Sequence, residues 1–269
     1  MIQKMSQASN KDYRISKLVW ILPFFPFSLW CIDSYLDMDI KWFFLINQWA
    51  MKFTDIFWTS LSLLGNGWSL FALALPLLIF APRTLFSALI SGLFAGICSP
   101  IAKAFFDTPR PAAILNQSAI HIVDQPLLHS AMPSGHTMTA FAIATAIFFA
   151  APRQRRPQLM WLFILAAATG LSRIATGSHW PSDVFIGATL GMICGLLGAY
   201  TSTLIKVSFF ELNQWPSKII LLSSVLCMYF LTSNALDFQM NQPVQYGLAF
   251  IIFLTWLMVA KKSLFNRHV

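Results

Sequence analysis

The chain has 269 residues, of which 57% are hydrophobic and only 10% are charged, and its formal net charge is +8. Soluble globular domains usually carry about 25% charged residues, so the composition excludes an ordinary soluble domain and indicates a bilayer as solvent. The four cysteines, Cys31, Cys98, Cys194 and Cys227, lie in apolar segments without paired spacing. We interpret them as small core residues and not as a disulfide or zinc framework.

Several apolar segments of the chain are long enough to cross a hydrocarbon core of about 30 Å. Crossing it takes about 20 helical residues. We interpret eight of them as membrane spans, so the predicted fold is all-α: a polytopic helical bundle forming a single domain over residues 1–269. The first span lacks a small-residue cleavage pattern before Asp33, so we expect an uncleaved helix and not a signal peptide. The spans cover residues 18–32, 56–81, 84–106, 134–151, 158–175, 182–205, 219–236 and 244–260.

Basic residues are unevenly divided between the two sides of the predicted bundle. The side that holds both termini and the loops at 82–83, 152–157 and 206–218 is the cytoplasm by the positive-inside rule, and a bacterial inner membrane is the default location. The cluster Arg-Gln-Arg-Arg at 153–156 is then a topology signal and not a nucleic-acid site. This side carries 13 of the 18 basic residues: Lys4, Lys11, Arg14, Lys17, Arg83, Arg153, Arg155, Arg156, Lys206, Lys218, Lys261, Lys262 and Arg267.

Five basic residues remain on the outer side. Lys41 and Lys52 accompany the aromatic segment WFFLINQWAMKF, which we expect to be a helix lying in the membrane interface. The other three stand at span ends: Lys103 ends the third span, Arg110 follows in KAFFDTPRP, and Arg173 ends the fifth span.

Three further polar residues begin spans on this same outer side: His136 begins the fourth span, and His179 and Asp183 begin the sixth. Because consecutive spans alternate in direction, the end of an odd span and the start of an even span meet at one face. Ionisable residues at membrane depth are costly and usually functional. The sequence therefore predicts one outer layer that holds three cations, two histidines and a carboxylate.

A phosphate is the ligand that best fits this layer. Arginine can grip a phosphate with two parallel hydrogen bonds, and the segment Pro-Ser-Gly-His at 133–136 puts unpaired amides of a helix N-terminus beside it. Each residue also has a structural interpretation when taken alone. Lys103 could snorkel to the interface, Asp183 could be a first-turn acid, Ser134 could be an N-cap, and either histidine could be structural.

These residues resemble a known family, the type 2 phosphatidic acid phosphatases, whose site is shared with vanadium haloperoxidases and glucose-6-phosphatase. The family pattern is Lys, six residues and Arg-Pro; then Pro-Ser-Gly-His; then Ser-Arg, five residues, His, three residues and Asp. Every position is present, at Lys103, Arg110 and Pro111, at Pro133 to His136, and at Ser172, Arg173, His179 and Asp183. The resemblance covers a six-helix core at about 54–206 and leaves the helix pair at about 217–261 without a motif-based role.

The resemblance implies an enzyme in which His179 is the nucleophile that forms a phosphohistidine and Asp183 fixes its tautomer. It implies that His136 is the general acid that protonates the leaving oxygen. The phosphoryl oxygens would be held by Lys103, Arg110, Arg173, Ser134 and the Gly135 amide.

The implied scheme uses no metal and no other cofactor, and the sequence shows no carboxylate cluster or His-x-x-x-His pair for a divalent ion. The implied substrate is a lipid phosphate presented at the bilayer surface. Undecaprenyl pyrophosphate, phosphatidylglycerol phosphate, phosphatidate and a lipid A phosphate remain open, and no obligate protein partner is evident. Two other functions stay open: an anion transporter or channel that uses the same cations, and haloperoxidase chemistry.

The loop at 107–133 is long for a connection, and long ordered loops often cover sites. It carries His121 and His129, which have no motif support, and a glycosylation sequon at Asn116. We interpret its acids, Asp107 and Asp124, as solvated loop residues first, with a place near the substrate as the alternative. The acids on the outer side are scattered along the chain: Asp33, Asp37, Asp39, Asp55, Asp107, Asp124 and Asp237.

Overall fold

A computed structural model describes residues 15–265. The predicted all-α class is confirmed, because the described residues form α-helices joined by turns and short 3₁₀ segments, without strands. The helices are α1 (Phe24–Leu36), α2 (Asp39–Ala50), α3 (Asp55–Leu63), α4 (Gly67–Ala74), α5 (Leu77–Phe80), α6 (Pro82–Phe106), α7 (Pro111–Ile114), α8 (Gly135–Ala150), α9 (Trp161–Ala175), α10 (Pro181–Leu204), α11 (Trp215–Ser233) and α12 (Gln242–Phe265).

The membrane character is confirmed, but the predicted count of eight uniform spans needs correction. The predicted span at 134–151 is helix α8, whose 16 residues are fewer than the roughly 20 that cross a bilayer straight. The predicted cytoplasmic termini fall on residues 1–14 and 266–269, outside the described residues. Within 15–265, six helical segments are long and apolar enough to cross: Lys17–Leu36, Pro82–Ile114, Arg153–Ala175, Pro181–Leu204, Ser208–Ser233 and Gln239–Ser263.

The predicted span at 56–81 is broken, since α3 and α4 meet at an angle of 68°. The cause is the sequence Gly65-Asn66-Gly67. Glycine favours a helix end, and the Asn66 side chain caps α4 by accepting a hydrogen bond from the Trp68 amide at 3.0 Å. The resulting turn lies against the first turn of α8, at the same end of the bundle as the predicted site residues.

Helix α10 lies at the centre of the bundle and packs against both α8 and α6. A row of glycines, Gly187, Gly191 and Gly195, faces α8 so closely that an added Cβ would lie within 3.0 Å of its backbone. Small residues at a spacing of four let membrane helices approach in this way. The first turns of α8 and α10 are therefore held side by side, and the Ser134 amide donates to the Asp183 carbonyl at 3.0 Å.

The predicted C-terminal pair of helices is present as α11 and α12, which pack against α4. Trp68 of α4 stacks on Phe230 of α11, with ring centroids 4.7 Å apart. The loop between α11 and α12 is tied to the buried side chain of Gln245, which binds the Leu236 amide at 2.9 Å and the Asn234 carbonyl at 2.7 Å. This loop lies beside α3 and reaches the same end of the bundle as the heads of α8 and α10.

Candidate active site

A cavity of about 260 Å³ lies where the ends of these helices meet. It is lined by six of the eight residues that the sequence predicted for catalysis and phosphate binding, so the structure brings these six together at one end of the bundle. Asp183 lies behind His179, and Ser134 lies outside the lining. The lining residues are Lys103, Arg110, Val123, Asp124, Gln125, Leu127, Gly135, His136, Arg173, Ser178, His179, Asp237 and Phe238.

His179 is held by hydrogen bonds at both ring nitrogens. Its Nδ1 lies 3.1 Å from Asp183 Oδ2, and its Nε2 lies 3.4 Å from Arg110 Nη1. A guanidinium can only donate, so this arrangement assigns the proton to Nδ1 and leaves the lone pair of Nε2 directed toward Arg110. Burial lowers the pKa of His179 well below its usual value, and the positive charges of Arg110 and Arg173 lower it further. The ring is therefore neutral at neutral pH, as a nucleophile must be.

Asp183 contacts the His179 ring and also caps its own helix. Pro181 opens α10, and Asp183 Oδ2 accepts a hydrogen bond from the Trp180 amide at 2.8 Å. The structural interpretation as a first-turn acid and the catalytic interpretation are thus both compatible with its position. Asp39 of α2 adds a second cap by binding the amide and hydroxyl of Ser182 at 2.9 and 2.7 Å.

The guanidinium groups of the two arginines are held in place by hydrogen bonds to backbone carbonyls and to a hydroxyl. Arg110 donates to the carbonyls of His129 and Ser178 at 2.8 and 3.1 Å. Arg173 is only 4% exposed, donates to the Ser62 hydroxyl, and lies over the ring of Phe238 at 5.7 Å. Its buried Nε has no hydrogen-bond partner among residues 15–265.

Lys103 lies in the last turn of α6 and lines the cavity. The interpretation that it only snorkels to the interface does not account for this position. With Arg110 and Arg173 it places three cations around one cavity, which suits an anion carrying more than one negative charge.

Ser134 lies differently from the prediction. Its side chain is fully buried, and its hydroxyl accepts a hydrogen bond from Thr137 Oγ1 at 2.9 Å. It occupies the N-cap position of α8 without making the side-chain capping bond. A direct contact between Ser134 and phosphate stays a prediction, whereas Gly135 lines the cavity as expected.

The loop at 107–133 covers part of the cavity through Val123, Asp124, Gln125 and Leu127. Asp124 is exposed, as expected of a solvated loop acid, and it also lines the cavity. The rings of the two loop histidines stay outside the lining. His121 pairs with Asp55 at 2.8 Å, and His129 contributes its carbonyl to Arg110.

Asp237 is the site residue that the sequence analysis missed. Its Oδ2 lies 3.0 Å from His136 Nε2 and also accepts a hydrogen bond from Asn66 Nδ2 at 3.0 Å. The signal was available, because the alternation of spans puts the loop between the last two spans on the same outer side. No motif marks it, and scattered acids gave no reason to select it.

No cluster of three or more histidine, cysteine, aspartate or glutamate side chains that could hold a metal ion occurs within the described residues. The ionisable side chains that line the cavity are three cations, two histidines and the carboxylates of Asp124 and Asp237.

The close contact between Gly65 and His136 leads to a first prediction. A Cβ on Gly65 would lie 2.6 Å from both Cβ and the carbonyl oxygen of His136. Gly65→Ala therefore must force the turn at Gly65 and the start of α8 apart. Overpacking costs about 1–3 kcal/mol, and a displacement of about 1 Å at a reacting group can cost about 100-fold in rate.

We expect Gly65→Ala to lower any turnover by at least about tenfold. Gly67→Ala is the matched control, since nothing lies within 4 Å of a Cβ at Gly67. The rates of the two purified variants in detergent decide the point: equal rates would show that the close contact has no catalytic consequence.

Comparison with known proteins agrees with this geometry. The sequence profile of the PAP2 superfamily matches residues 83–206. The crystal structure of Aquifex aeolicus LpxE superposes with a TM-score of 0.53 and 32% identity, covering 61% of this chain and 95% of that one. The match at this identity extends over nearly the whole of that smaller protein.

Curated relatives match over shorter segments. The lipid A 1-phosphatase of Porphyromonas gingivalis is 46% identical over 77 residues, which are 27% of this chain and 16% of that protein. Two Bacillus proteins named BcrC also match. The bacitracin transport permease protein of Bacillus licheniformis is 34% identical over 125 residues, and the undecaprenyl-diphosphatase of Bacillus subtilis is 29% identical over 118. This chain spans 56% and 57% of their lengths and 45% and 44% of its own.

The profile match includes the segments that deliver Lys103, His136 and His179 to one cavity. On the sequence, the fold and the arrangement of these residues, the chain belongs to the PAP2 superfamily.

Proposed function

We propose that this chain is a membrane-embedded, metal-independent lipid phosphatase that hydrolyses a phosphomonoester or pyrophosphate on a lipid headgroup. One observation carries the proposal: a neutral imidazole, oriented by a buried carboxylate, faces a cavity that also holds three cations and a second histidine. A nucleophile, its orienting acid, an electrostatic clamp and a proton donor are the parts that phosphoryl transfer through a covalent intermediate needs.

The first chemical step is attack by His179. The lone pair of Nε2 forms a bond to phosphorus. Asp183 accepts a hydrogen bond from Nδ1–H and stabilises the positive charge that develops on the ring. Arg110, which contacts Nε2 in this structure, turns toward the incoming phosphoryl oxygens. The bond between phosphorus and the lipid oxygen breaks as His136 donates a proton to that oxygen.

The second step releases the enzyme. His136, now neutral, accepts a proton from water as the water oxygen attacks the phosphohistidine. Inorganic phosphate leaves, and His179 returns to its starting tautomer. Throughout, Lys103, Arg110 and Arg173 balance the charge of the phosphoryl oxygens, with the Gly135 amide and Ser134 as the further predicted donors.

The proposed substrate is a lipid because the cavity lies at the end of an apolar helical bundle, where a headgroup can enter while its tails stay in the bilayer. The names of the relatives favour two candidates, a lipid A phosphate and undecaprenyl pyrophosphate. Phosphatidylglycerol phosphate and phosphatidate remain further candidates. We place the protein in a bacterial inner membrane, with the cavity facing the periplasm or exterior, on the strength of the basic loops on the opposite side.

Anion transport is the second candidate function: three cations line the cavity, and the Bacillus licheniformis relative is named a bacitracin transport permease protein. Transporters tend to place their sites near the membrane midplane on broken helices. Here the cations gather at helix ends, at one end of the bundle. If the chain is a transporter, purified protein in liposomes will carry phosphate across the bilayer without hydrolysing a lipid.

A panel of lipid phosphates in detergent tests the proposed function. We expect release of inorganic phosphate from at least one of the four candidate lipids, and a rate that stays within about twofold when EDTA is added, because protein cations balance the phosphoryl charge. Loss of all activity with EDTA, restored by a divalent ion, would contradict the metal-independent mechanism. No release from any candidate, together with phosphate flux in liposomes, would favour transport.

A further inference from the structure

The loop between α11 and α12 brings two side chains into the cavity from outside the matched family segment. The superfamily profile ends at residue 206, whereas Asp237 and Phe238 lie about thirty residues further along. Both line the cavity: Asp237 faces His136, and Phe238 lies beneath Arg173. The C-terminal helix pair thus contributes directly to the site and does more than extend the bundle.

The contact between Asp237 and His136 is well defined. Their side chains are 19% and 21% exposed, and the distance from Oδ2 to Nε2 is 3.0 Å. Burial alone would raise the pKa of Asp237, but His136, Arg173 and Asn66 outweigh burial, and the pKa lies below its usual value. Asp237 is therefore ionised at neutral pH. Since a carboxylate can only accept, the His136 nitrogen that faces it, Nε2, carries a hydrogen.

Burial and the neighbouring cations oppose the protonation of His136, and its pKa lies below its usual value. Arg173 from α9 and Lys103 from α6 are both cationic, and His179 lies across the cavity. Positive neighbours disfavour an imidazolium, and a general acid must hold its proton until the leaving oxygen needs it. Asp237 is the carboxylate in direct contact with His136, so it supplies negative charge that opposes burial and the neighbouring cations and favours the protonated ring.

The loop is anchored firmly enough to aim this carboxylate. Gln245 is fully buried and ties the loop backbone at Leu236 and Asn234, while Phe238 is only 5% exposed under Arg173. Asn66, in the turn that breaks α3 from α4, holds the same carboxylate oxygen from the other side. A rigid second partner of this kind fixes the orientation of a histidine ring.

Resting on the proposed phosphatase function, we propose that Asp237 is a positioning residue that holds Nε2–H of His136, so that the ring donates its Nδ1 proton to the leaving oxygen. When the P–O bond breaks, that proton passes from Nδ1 to the lipid oxygen. The ring is then neutral and keeps its proton on Nε2, hydrogen-bonded to Asp237. The charge and proton count balance within this pair. In the second step Nδ1 takes a proton from water.

Asp237→Asn tests this assignment, because it removes the charge and keeps the shape. We expect kcat to fall about 10- to 100-fold while KM changes less than about threefold, and the alkaline limb of the pH–kcat profile to move to lower pH. Asp237→Glu should recover part of the rate. Asp55→Asn is the matched control, since Asp55 pairs with His121 outside the cavity at 2.8 Å; its kcat should stay within about twofold.

The opposite assignment makes a different prediction. If Asp237 instead occupies the phosphate position and competes with substrate, Asp237→Asn will lower KM and raise kcat/KM. That result, or an unchanged pH profile, would overturn the proposal.

A titration of His136 by ¹⁵N NMR in the purified wild type and Asp237→Asn proteins separates this proposal from the proposed function. We expect the imidazolium of His136 to persist to higher pH in the wild type than in the variant, whether or not a lipid is hydrolysed. The same titration in both proteins would show that Asp237 does not support the charged ring. A shifted titration in a wild type protein that hydrolyses no lipid phosphate would overturn the phosphatase function and leave the pairing intact.

Discussion

His179→Asn is expected to reduce lipid phosphate hydrolysis by at least about 10⁴-fold, because removal of a covalent nucleophile leaves only binding and electrostatic stabilisation. Asparagine retains a polar group of similar reach near Asp183 and Arg110 but has no ring nitrogen to attack phosphorus. The three cations and His136 remain in place, so the variant keeps its charge around the cavity. The measurement is the rate of phosphate release in detergent at a saturating concentration of the lipid substrate.

His121→Asn is the matched control for this variant. His121 lies in the loop that covers the cavity and pairs with Asp55, but its ring lies outside the cavity lining. We expect His121→Asn to keep a rate within about threefold of the wild type. If His179→Asn retains more than about 1% of wild type turnover, His179 is not the nucleophile, and the assignment of Nε2 as the attacking atom fails with it.

Asp183→Asn is expected to lower kcat about 10³- to 10⁴-fold, the size of effect seen when the orienting acid of a catalytic triad becomes an amide. In this structure Asp183 accepts hydrogen bonds from the His179 ring and from the Trp180 amide. An amide can donate to Nδ1, which would place the ring proton on Nε2 and block the lone pair that attacks phosphorus. The amide would also fail to stabilise the positive charge that forms on the ring.

Asp39→Asn separates this chemical effect from loss of the helix cap. Asp39 also binds the first turn of α10, through Ser182, and is raised in pKa mainly by burial. Both variants weaken a cap, which typically costs about 1 kcal/mol, so their thermal unfolding should change by similar amounts. Only Asp183→Asn should lose activity by orders of magnitude. Equal losses in the two variants would mean that Asp183 acts through helix stability alone.

The predicted site was reached from the sequence because two independent regularities agreed. Span alternation placed Lys103, His136 and Arg173 on one face, and the family resemblance joined His179 to Asp183 by their spacing. Span alternation concerns whole helices, and motif spacing concerns residues close together in sequence. They therefore predict which residues meet, but not which atoms meet: Ser134 faces Thr137 and lies outside the cavity lining, although its motif is complete.

The features that the sequence analysis missed are tertiary. The hydropathy of residues 56–81 predicted one span, because Gly65, Asn66 and Gly67 lower the average hydropathy of the segment only slightly. The bend matters since it lets Gly65 contact His136 and lets Asn66 reach Asp237. Asp237 is 101 residues from His136 in sequence, and no periodic pattern connects positions that far apart.

Asp39 gives a third example of the same limit. It was grouped with the scattered outer acids, but it caps α10 from α2 across 143 positions. A single acid beside an aromatic interfacial helix carries no sequence signal for such a contact. Contacts of this kind depend on how helices pack, which in this bundle is set by close approach at small residues such as Gly187 and Gly191.

The most direct test of the account is to trap the phosphorylated enzyme. Purified wild type protein, mixed with a lipid substrate labelled at its phosphate and quenched in alkaline detergent within one turnover, should carry label that is stable to base and released by acid, as a phosphohistidine is. Peptide mapping should place that label on His179, and His179→Asn should carry none. Label on another residue, or turnover without any labelled protein under conditions that trap a known phosphohistidine enzyme, would contradict the account.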